Sequence, residues 1–481
     1  MMICASQPGR FIWIRATLLG VGVITAGLLS SCDLGPDYKP PALQIPSSWS
    51  NTNAAAIWPA LDWWHGFGSP QLDVDEAQAA KANYDLKAAV ARVREANAQV
   101  EIAGAPLLPS IDLNGSAARE RTLAAGSGSK LNITDFTVAP AAAYEVDFWG
   151  KNWATLASAQ ASANASRYDR QVVGLTVVTG VADTYFQVVA LQDRLKVAEQ
   201  NLANGESVLR GVEAQFRAGT ATRLDVVQQQ TVVSNLRAAI PPLQQQLAQN
   251  VDALAILLGK LPEDVKVTQS SLSALSIPKV APGLPAALLA RRPDVREAEA
   301  QLIAANANIK AARAQFFPDI TLTAEGGVES TALSTLFTPA GAIYALAASV
   351  TQPIFEGGSL QGQLEYSKAR YDELLQDYHK AVISAFGDVE NALVVTQKTA
   401  EQQADEADTV AKARRAFEIS QVQYRAGTIT LLTVLNTETA LFSAEDTLVQ
   451  DRLAHMQATV SLFQALGGGW HDQSKTTQPH D

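Results

Sequence analysis

The feature that most constrains this chain is an internal duplication: four segments recur in the same order at an offset of 207 to 209 residues. Leu107-Leu108-Pro109-Ser110-Ile111-Asp112-Leu113 returns as Phe316-Phe317-Pro318-Asp319-Ile320-Thr321-Leu322, and Tyr144 to Gly150 returns more loosely as Thr351 to Gly357. Arg217-Ala218-Gly219-Thr220 returns unchanged as Arg425-Ala426-Gly427-Thr428, and Leu257-Leu258-Gly259 returns as Ala465-Leu466-Gly467. One tetrapeptide can arise by chance, but four ordered matches at nearly one spacing make the repeat a structural unit.

Each half reads as helix, two strands, very long helix, tight turn and returning helix. The opening helices, near Gln71 to Ala105 and Asp294 to Gln315, are rich in strong helix formers and stop before Pro109 and Pro318. Beyond each proline the period changes to two. Ile111, Leu113, Gly115 and Ala117 alternate with Ser110, Asp112, Asn114 and Ser116, and on the return strand Phe136, Val138, Ala142, Tyr144, Val146 and Phe148 oppose Thr137, Glu145 and Asp147. The second half repeats the pattern less cleanly through Ile320, Leu322, Ala324 and Val328, then Tyr344, Leu346, Ala348 and Val350. The Ala124 to Lys130 stretch is a flexible loop by composition.

From Lys151 to Arg217, and again from Ser359 to Arg425, no proline interrupts 67 residues, enough for a helix about 100 Å long. Tyr371, Leu375, Tyr378, Val382, Ala385, Val389 and Ala392 follow the 4-3-4-3 spacing of a coiled-coil seam. Gly219 and Gly427 end the long helices by taking left-handed conformations, and Thr220 or Thr222, with Thr428 or Thr430, can cap the returning helices.

The N-terminus carries Arg10 and Arg15, then an uncharged apolar run from Leu18 to Leu29, then Leu29-Ser30-Ser31-Cys32. This is a signal peptide ending in a lipobox, so cleavage before Cys32 exposes a cysteine for acylation by fatty acids such as palmitate. The only other cysteine, Cys4, lies in the segment removed, and no disulfide or cysteine metal site remains. Nothing after Leu29 has a continuous apolar run long enough for a membrane helix. The net charge of −11, with no basic cluster standing out, argues against a nucleic-acid partner.

No catalytic site is legible. His65, His379, His455, His471 and His480 lack metal-ligand spacing, and there is no nucleophile elbow, P-loop or strand-turn-helix GxGxxG. Glu145 with Asp147 reads as a solvated strand face rather than an acid-base pair. The expectation is a protein that is not an enzyme and needs no cofactor beyond a covalent lipid on Cys32.

Strands with one apolar and one polar face suit a soluble sheet or a membrane barrel, and four strands are too few to close a barrel. Three copies supply twelve strands, so a homotrimer is expected. Several segments, in this order, resemble the TolC family of outer-membrane efflux proteins, in its NodT-type lipoprotein subgroup. They are Cys32 with Gly35-Pro36-Asp37-Tyr38-Lys39-Pro40, Trp63-Trp64 with Phe67, Pro109 and Pro318 at helix-to-strand joints, both Arg-Ala-Gly-Thr turns, and Leu466-Gly467-Gly468-Gly469-Trp470. The resemblance implies a mainly α fold with a small β part: a trimeric twelve-stranded β-barrel joined to a periplasmic α-helical coiled-coil barrel. It also implies an outer-membrane exit duct of a tripartite efflux system, passing drugs or other toxic small molecules and conferring multidrug resistance. Its partners would be a periplasmic adaptor, an inner-membrane pump and outer-membrane lipid.

By that resemblance the helix-tip turns Arg217, Gly219, Thr220, Arg425, Gly427 and Thr428 are the adaptor-docking candidates, and Leu432 and Asn436 lie at the periplasmic constriction. Family members often carry an acidic residue where Asn436 stands. Asp225 is the alternative carboxylate, unless it is a helix-start aspartate. Asp33 resembles an inner-membrane retention signal of enteric bacteria, against which the amphipathic strands favour the outer membrane. The competing readings are an exit duct for type I protein secretion and, in other classes, a soluble periplasmic helical lipoprotein or a trimeric coiled-coil adhesin. The expected organisation is signal peptide 1–31, extended segment 32–70, first repeat 71–259, linker or equatorial element 260–290, second repeat 291–470 and polar tail 471–481.

Overall fold

The computed structural model describes residues 35, 37–43, 45–49, 58–123, 130–268, 271–280, 285–468 and 470. The signal peptide, Cys32, Asp33 and the tail from His471 lie outside the described residues. Two compact units divide the chain. One contains residues up to Pro41 with Glu95–Asn164 and Ala300–Gln376, and the other contains Ala42–Arg94, Ala165–Glu299 and the remainder from Asp377.

The elements follow the duplicated order. The first half holds α1 (Pro70–Ala82), α2 (Tyr84–Gly104), β1 (Ser110–Leu123), β2 (Lys130–Val146), α3 (Lys151–Arg217) and α4 (Arg223–Leu258). The second holds α5 (Pro293–Ala314), β3 (Asp319–Ser330), β4 (Ala342–Thr351), α6 (Ser359–Arg425) and α7 (Leu431–Ala465). The opening helix of the first half is broken where the sequence suggests one helix. Asn83 leaves the helical region with ψ 131°, its Oδ1 accepts from Leu86 N (3.0 Å), and its amide donates to Leu257 O (2.9 Å). The Asn83 backbone N–H closes α1 on Ala79 O (2.9 Å), while its side-chain oxygen caps the start of α2.

In the first unit the strands form one antiparallel sheet in the order β1-β2-β3-β4, so each half contributes a hairpin and β2 meets β3 at the middle. β1 and β4 are edges. Pro140 lies in a central strand, and the β2-β3 ladder skips Ala139 and Pro140 because proline has no N–H to donate. At the helix-strand joins, Trp149 stacks on Phe317 (4.7 Å between rings) and donates its Nε1 hydrogen to Pro318 O (2.8 Å). Asp147, read from sequence as part of the strand face, falls beyond β2 and accepts from Trp153 N (2.8 Å) at the start of α3.

The second unit has an aromatic core. Trp63 stacks on Phe463 at 4.7 Å, and Phe67 packs on Phe186 at 4.8 Å. Val181, Tyr185, Leu254, Leu258 and Met456 complete it, and Val265 and Leu272 of the 260–290 segment pack into it. A window of α3 is apolar enough by composition to cross a membrane, and Val177, Val181, Tyr185, Phe186 and Val189 of this helix are among these core residues. The seam on α6 is buried at Tyr378, Val382, Ala385, Val389 and Ala392, while Leu374 takes the buried place assigned from sequence to Leu375.

Candidate functional site

In an antiparallel ladder, opposed residues share a face, so the register sorts every strand residue to one side or the other. One face carries Ile111, Leu113, Val138, Ala142, Tyr144, Ile320, Leu322, Val328, Tyr344, Leu346 and Val350. Along the edge strands its large side chains are open to the surroundings, with Ile111 and Leu113 each 73% exposed and Tyr344 85% exposed, while Val138, Tyr144, Ile320 and Val328 in the middle are half-buried. The other face carries Asp112, Glu120, Asp135, Glu145, Asp319, Glu325 and Glu329 and, within the strands, no lysine or arginine. Lys151, at the start of α3, pairs with two of these carboxylates, Glu145 (2.5 Å) and Asp319 (3.2 Å). A sheet that exposes large aliphatic groups on one side and carboxylates on the other fits lipid against the first and water against the second.

The turns that close the long helices are built alike. After α3, Gly219 takes φ 77°, its N–H reaches Phe216 O (3.0 Å), and Thr220 N–H reaches Gln215 O (2.9 Å). After α6, Gly427 takes φ 75°, with Gly427 N–H to Tyr424 O (2.9 Å) and Thr428 N–H to Gln423 O (3.0 Å). These are paired Schellman turns, and they account for the repeated tetrapeptide: glycine supplies the left-handed residue, and each threonine hydroxyl also bonds back, Thr220 to Gln215 O and Thr428 to Gln423 O. Arg217 and Arg425 are the last helical residues.

The capping roles divide between the candidates. Thr222 caps α4, and Asp225 closes a reciprocal capping box by accepting from Thr222 N (2.7 Å) and its hydroxyl (2.8 Å). Thr430 occupies the corresponding position of α7 without a side-chain cap bond. Leu432 (57% exposed) and Asn436 point away from the packed stripe of α7, in which Leu431, Val434, Leu435 and Leu441 join Val212, Val226 and Phe417.

The helices hold several buried or half-buried carboxyls that sequence reasoning does not single out, of which Glu438, Asp183 and Glu76 are the most strongly shifted. Glu438 is fully buried, with Gln229 donating to its Oε2 at 3.5 Å, while Oε1 has no partner; burial pushes its pKa up to about 7 against the smaller opposing pull of the Gln229 amide. Burial pushes Asp183 to about 7. It pushes Glu76 to about 9, with the neighbouring Asp75 and Asp73 charges adding to the effect. Glu76 and Glu438 each lie within an apolar helical stripe, 72-76-79 for Glu76 and 434-435-438-441 for Glu438. That spacing is the sequence signal that marks them as core carboxyls.

These surfaces fit a protein of the outer-membrane channel class, and no group of acidic, histidine or cysteine residues suited to a metal ion occurs among the described residues. The family model described as "Outer membrane efflux protein" matches residues 77–260 and 284–468. The chain is 42% identical over 453 residues to the pyoverdine export outer membrane protein OpmQ of Pseudomonas aeruginosa, covering 92% of this chain and 95% of that one. It is 33% identical over 462 residues to the toluene efflux pump outer membrane protein TtgC of Pseudomonas putida, covering 94% and 95%. The solved outer-membrane channel OprN superposes with a TM-score of 0.87 at 28% identity, covering 91% of this chain and all of that one. The chain belongs to the outer membrane efflux protein family, the TolC family, and is an outer-membrane efflux channel, not an enzyme.

Proposed function

We propose that three copies close their four-stranded sheets into a twelve-stranded barrel and gather their helical hairpins into a periplasmic coiled-coil tunnel. The observation that carries this reading is the two-faced sheet with β1 and β4 left as edges. An open edge in lipid leaves backbone groups unsatisfied, and pairing β1 of one copy with β4 of the next removes every edge. The apolar faces then meet lipid and the carboxylate faces line the pore. The twin Schellman turns, with Arg217, Gly219, Thr220, Arg425, Gly427 and Thr428, dock the periplasmic adaptor of a tripartite system with an inner-membrane pump. Leu432 and Asn436 form the constriction, and the Asp225 carboxylate is engaged in capping. The chain is a lipoprotein of the NodT-type subgroup, anchored through acylated Cys32 in the outer membrane.

The test combines acyl labelling of Cys32, membrane fractionation and sizing in mild detergent. A lipidated outer-membrane species of three times the mature mass supports the reading, whereas an inner-membrane monomer overturns it. In planar bilayers, Leu432→Ala is expected to raise conductance by widening the narrowest ring, and unchanged conductance removes Leu432 from the gate. A siderophore of the pyoverdine kind is the favoured cargo over solvents, because identity to the pyoverdine exporter exceeds that to the toluene pump by 42% to 33%. Deleting the gene and assaying the medium for the host's siderophore distinguishes the two.

A further inference from the structure

The apolar face of the sheet is not uniform from end to end. Along β1 it runs Ile111, Leu113, Gly115 and Ala117, then changes to Arg119 and Arg121; on β2, Lys130 falls on the same face beside Asn132 and Thr134. These three cations are the only charged residues on that side of the sheet, and all three are exposed. They sit at the end of the β1-β2 hairpin remote from the helix-strand joins. Arg121 is oriented by its neighbour, since its Nε donates to Asn132 Oδ1 at 2.9 Å. The sequence between the two strands, Ala124 to Ser129, and the β3-β4 connection, Thr331 to Gly341, contain no acidic residue to neutralise them.

Distance places the cluster. From Ile111 to Arg119 and Arg121 is eight to ten residues, about 26 to 33 Å along a strand and about 20 to 25 Å along the membrane normal at the tilt of about 40° typical of barrels. The lipid-facing apolar band of such barrels is about 25 Å tall. If Ile111 stands at the periplasmic boundary, near the Trp149 and Phe317 stack, the cations emerge at the outer boundary, on the lipid side, at headgroup level.

We propose that Arg119, Arg121 and Lys130 bind the phosphate groups of a phosphorylated glycolipid in the outer leaflet, holding it against the outside of the barrel. This rests on the barrel reading above. The fit is one of charge and geometry: planar guanidinium groups bind phosphate oxygens in pairs, and a cation at that level without a protein counter-ion is favoured by an anionic headgroup. The acidic residues all point to the opposite side, so they do not neutralise the patch from its own face.

The test uses the full-length purified trimer and bisphosphorylated lipid A in mixed micelles, with phosphatidylethanolamine as the neutral comparison and phosphatidylglycerol as the anionic one. Bound lipid is counted by native mass spectrometry. Heat-modifiable migration of each sample reports the barrel independently. The wild type is expected to retain lipid A in preference to both phospholipids and to release it as salt is raised. Removing each cation is expected to weaken binding about fivefold, or about a hundredfold for Arg119→Ala/Arg121→Ala/Lys130→Ala together. The charge-conserving Arg119→Lys/Arg121→Lys/Lys130→Arg variant is expected to restore most of it. Lipid A binding within twofold of wild type in a triple-alanine variant that still runs as a heat-modifiable trimer overturns the site. Equal retention of phosphatidylglycerol overturns the assignment to a glycolipid. Loss of heat-modifiable migration in the wild type overturns the barrel reading, and this site with it.

Discussion

Glu76 shows how one side chain can tie the stability of this protein to pH. It occupies the core stripe of α1 between Leu72 and Ala79, and neither of its oxygens has a hydrogen-bond partner. Burial, reinforced by Asp75 and Asp73, raises its carboxyl from 4.5 to about 9, so the folded state holds a proton that the unfolded chain releases above pH 4.5. For a raised carboxyl the folded state binds more protons throughout that window. Stability is therefore lost as pH rises from 4.5 toward 9, by about 3 kcal/mol per chain at pH 7. Asp183, raised to about 7, acts in the same direction. Glu76→Gln is expected to flatten the decline of the melting temperature between pH 5.5 and 8.5, and Glu76→Leu to raise it across that range. Parallel melting curves for variant and wild type would refute the assignment. The stripe makes Glu76 legible in sequence as a core position, but its lack of partners is a property of what α1 packs against.

At the scale of elements, the two hairpins illustrate how a repeated sequence becomes repeated geometry and where it diverges. Both Arg-Ala-Gly-Thr turns make the same pair of backbone bonds, because the required left-handed residue is local and glycine supplies it. Gly427→Ala places a side chain in that conformation and is expected to cost about 1 kcal/mol; denaturant titration monitored near the turn is the check. The caps that follow differ. Thr222 and Asp225 satisfy each other, so Thr222→Ala and Asp225→Ala should each cost about 1 kcal/mol while the double variant costs less than their sum. Full additivity would show that the box is not a unit and would return Asp225 to the candidates for the gate. The duplication and the long helices were legible because they depend on proline spacing and local period. The break at Asn83 was not read, since a helix-forming composition surrounds it and the decisive bond runs to Leu257, far along the chain. The shift from Leu375 to Leu374 in the α6 seam has the same origin: a heptad drifts against a 3.6-residue turn, and the facing helix chooses between adjacent positions.

At the scale of the whole molecule, the chemistry is carried by the separation of charge across the sheet. If the carboxylate face lines the pore as proposed, the channel is expected to favour cations over anions, and Asp135→Asn/Glu325→Gln/Glu329→Gln is expected to shift the reversal potential under a salt gradient toward zero. An unchanged reversal potential would place those residues outside the conducting path. Sequence alone determined the duplication, the two strand hairpins, the uninterrupted helices, the glycine turns and the family, since each is written in local spacing: prolines, periods of two and near four, and residues that tolerate a left-handed backbone. Tertiary structure alone decided the pairing of β2 with β3, and with it which residues of the two halves share a face. A strand carries its alternation but not its partner, and Asp319, Glu325 and Glu329 join the carboxylates of the first hairpin on one face only once the register aligns segments nearly two hundred residues apart.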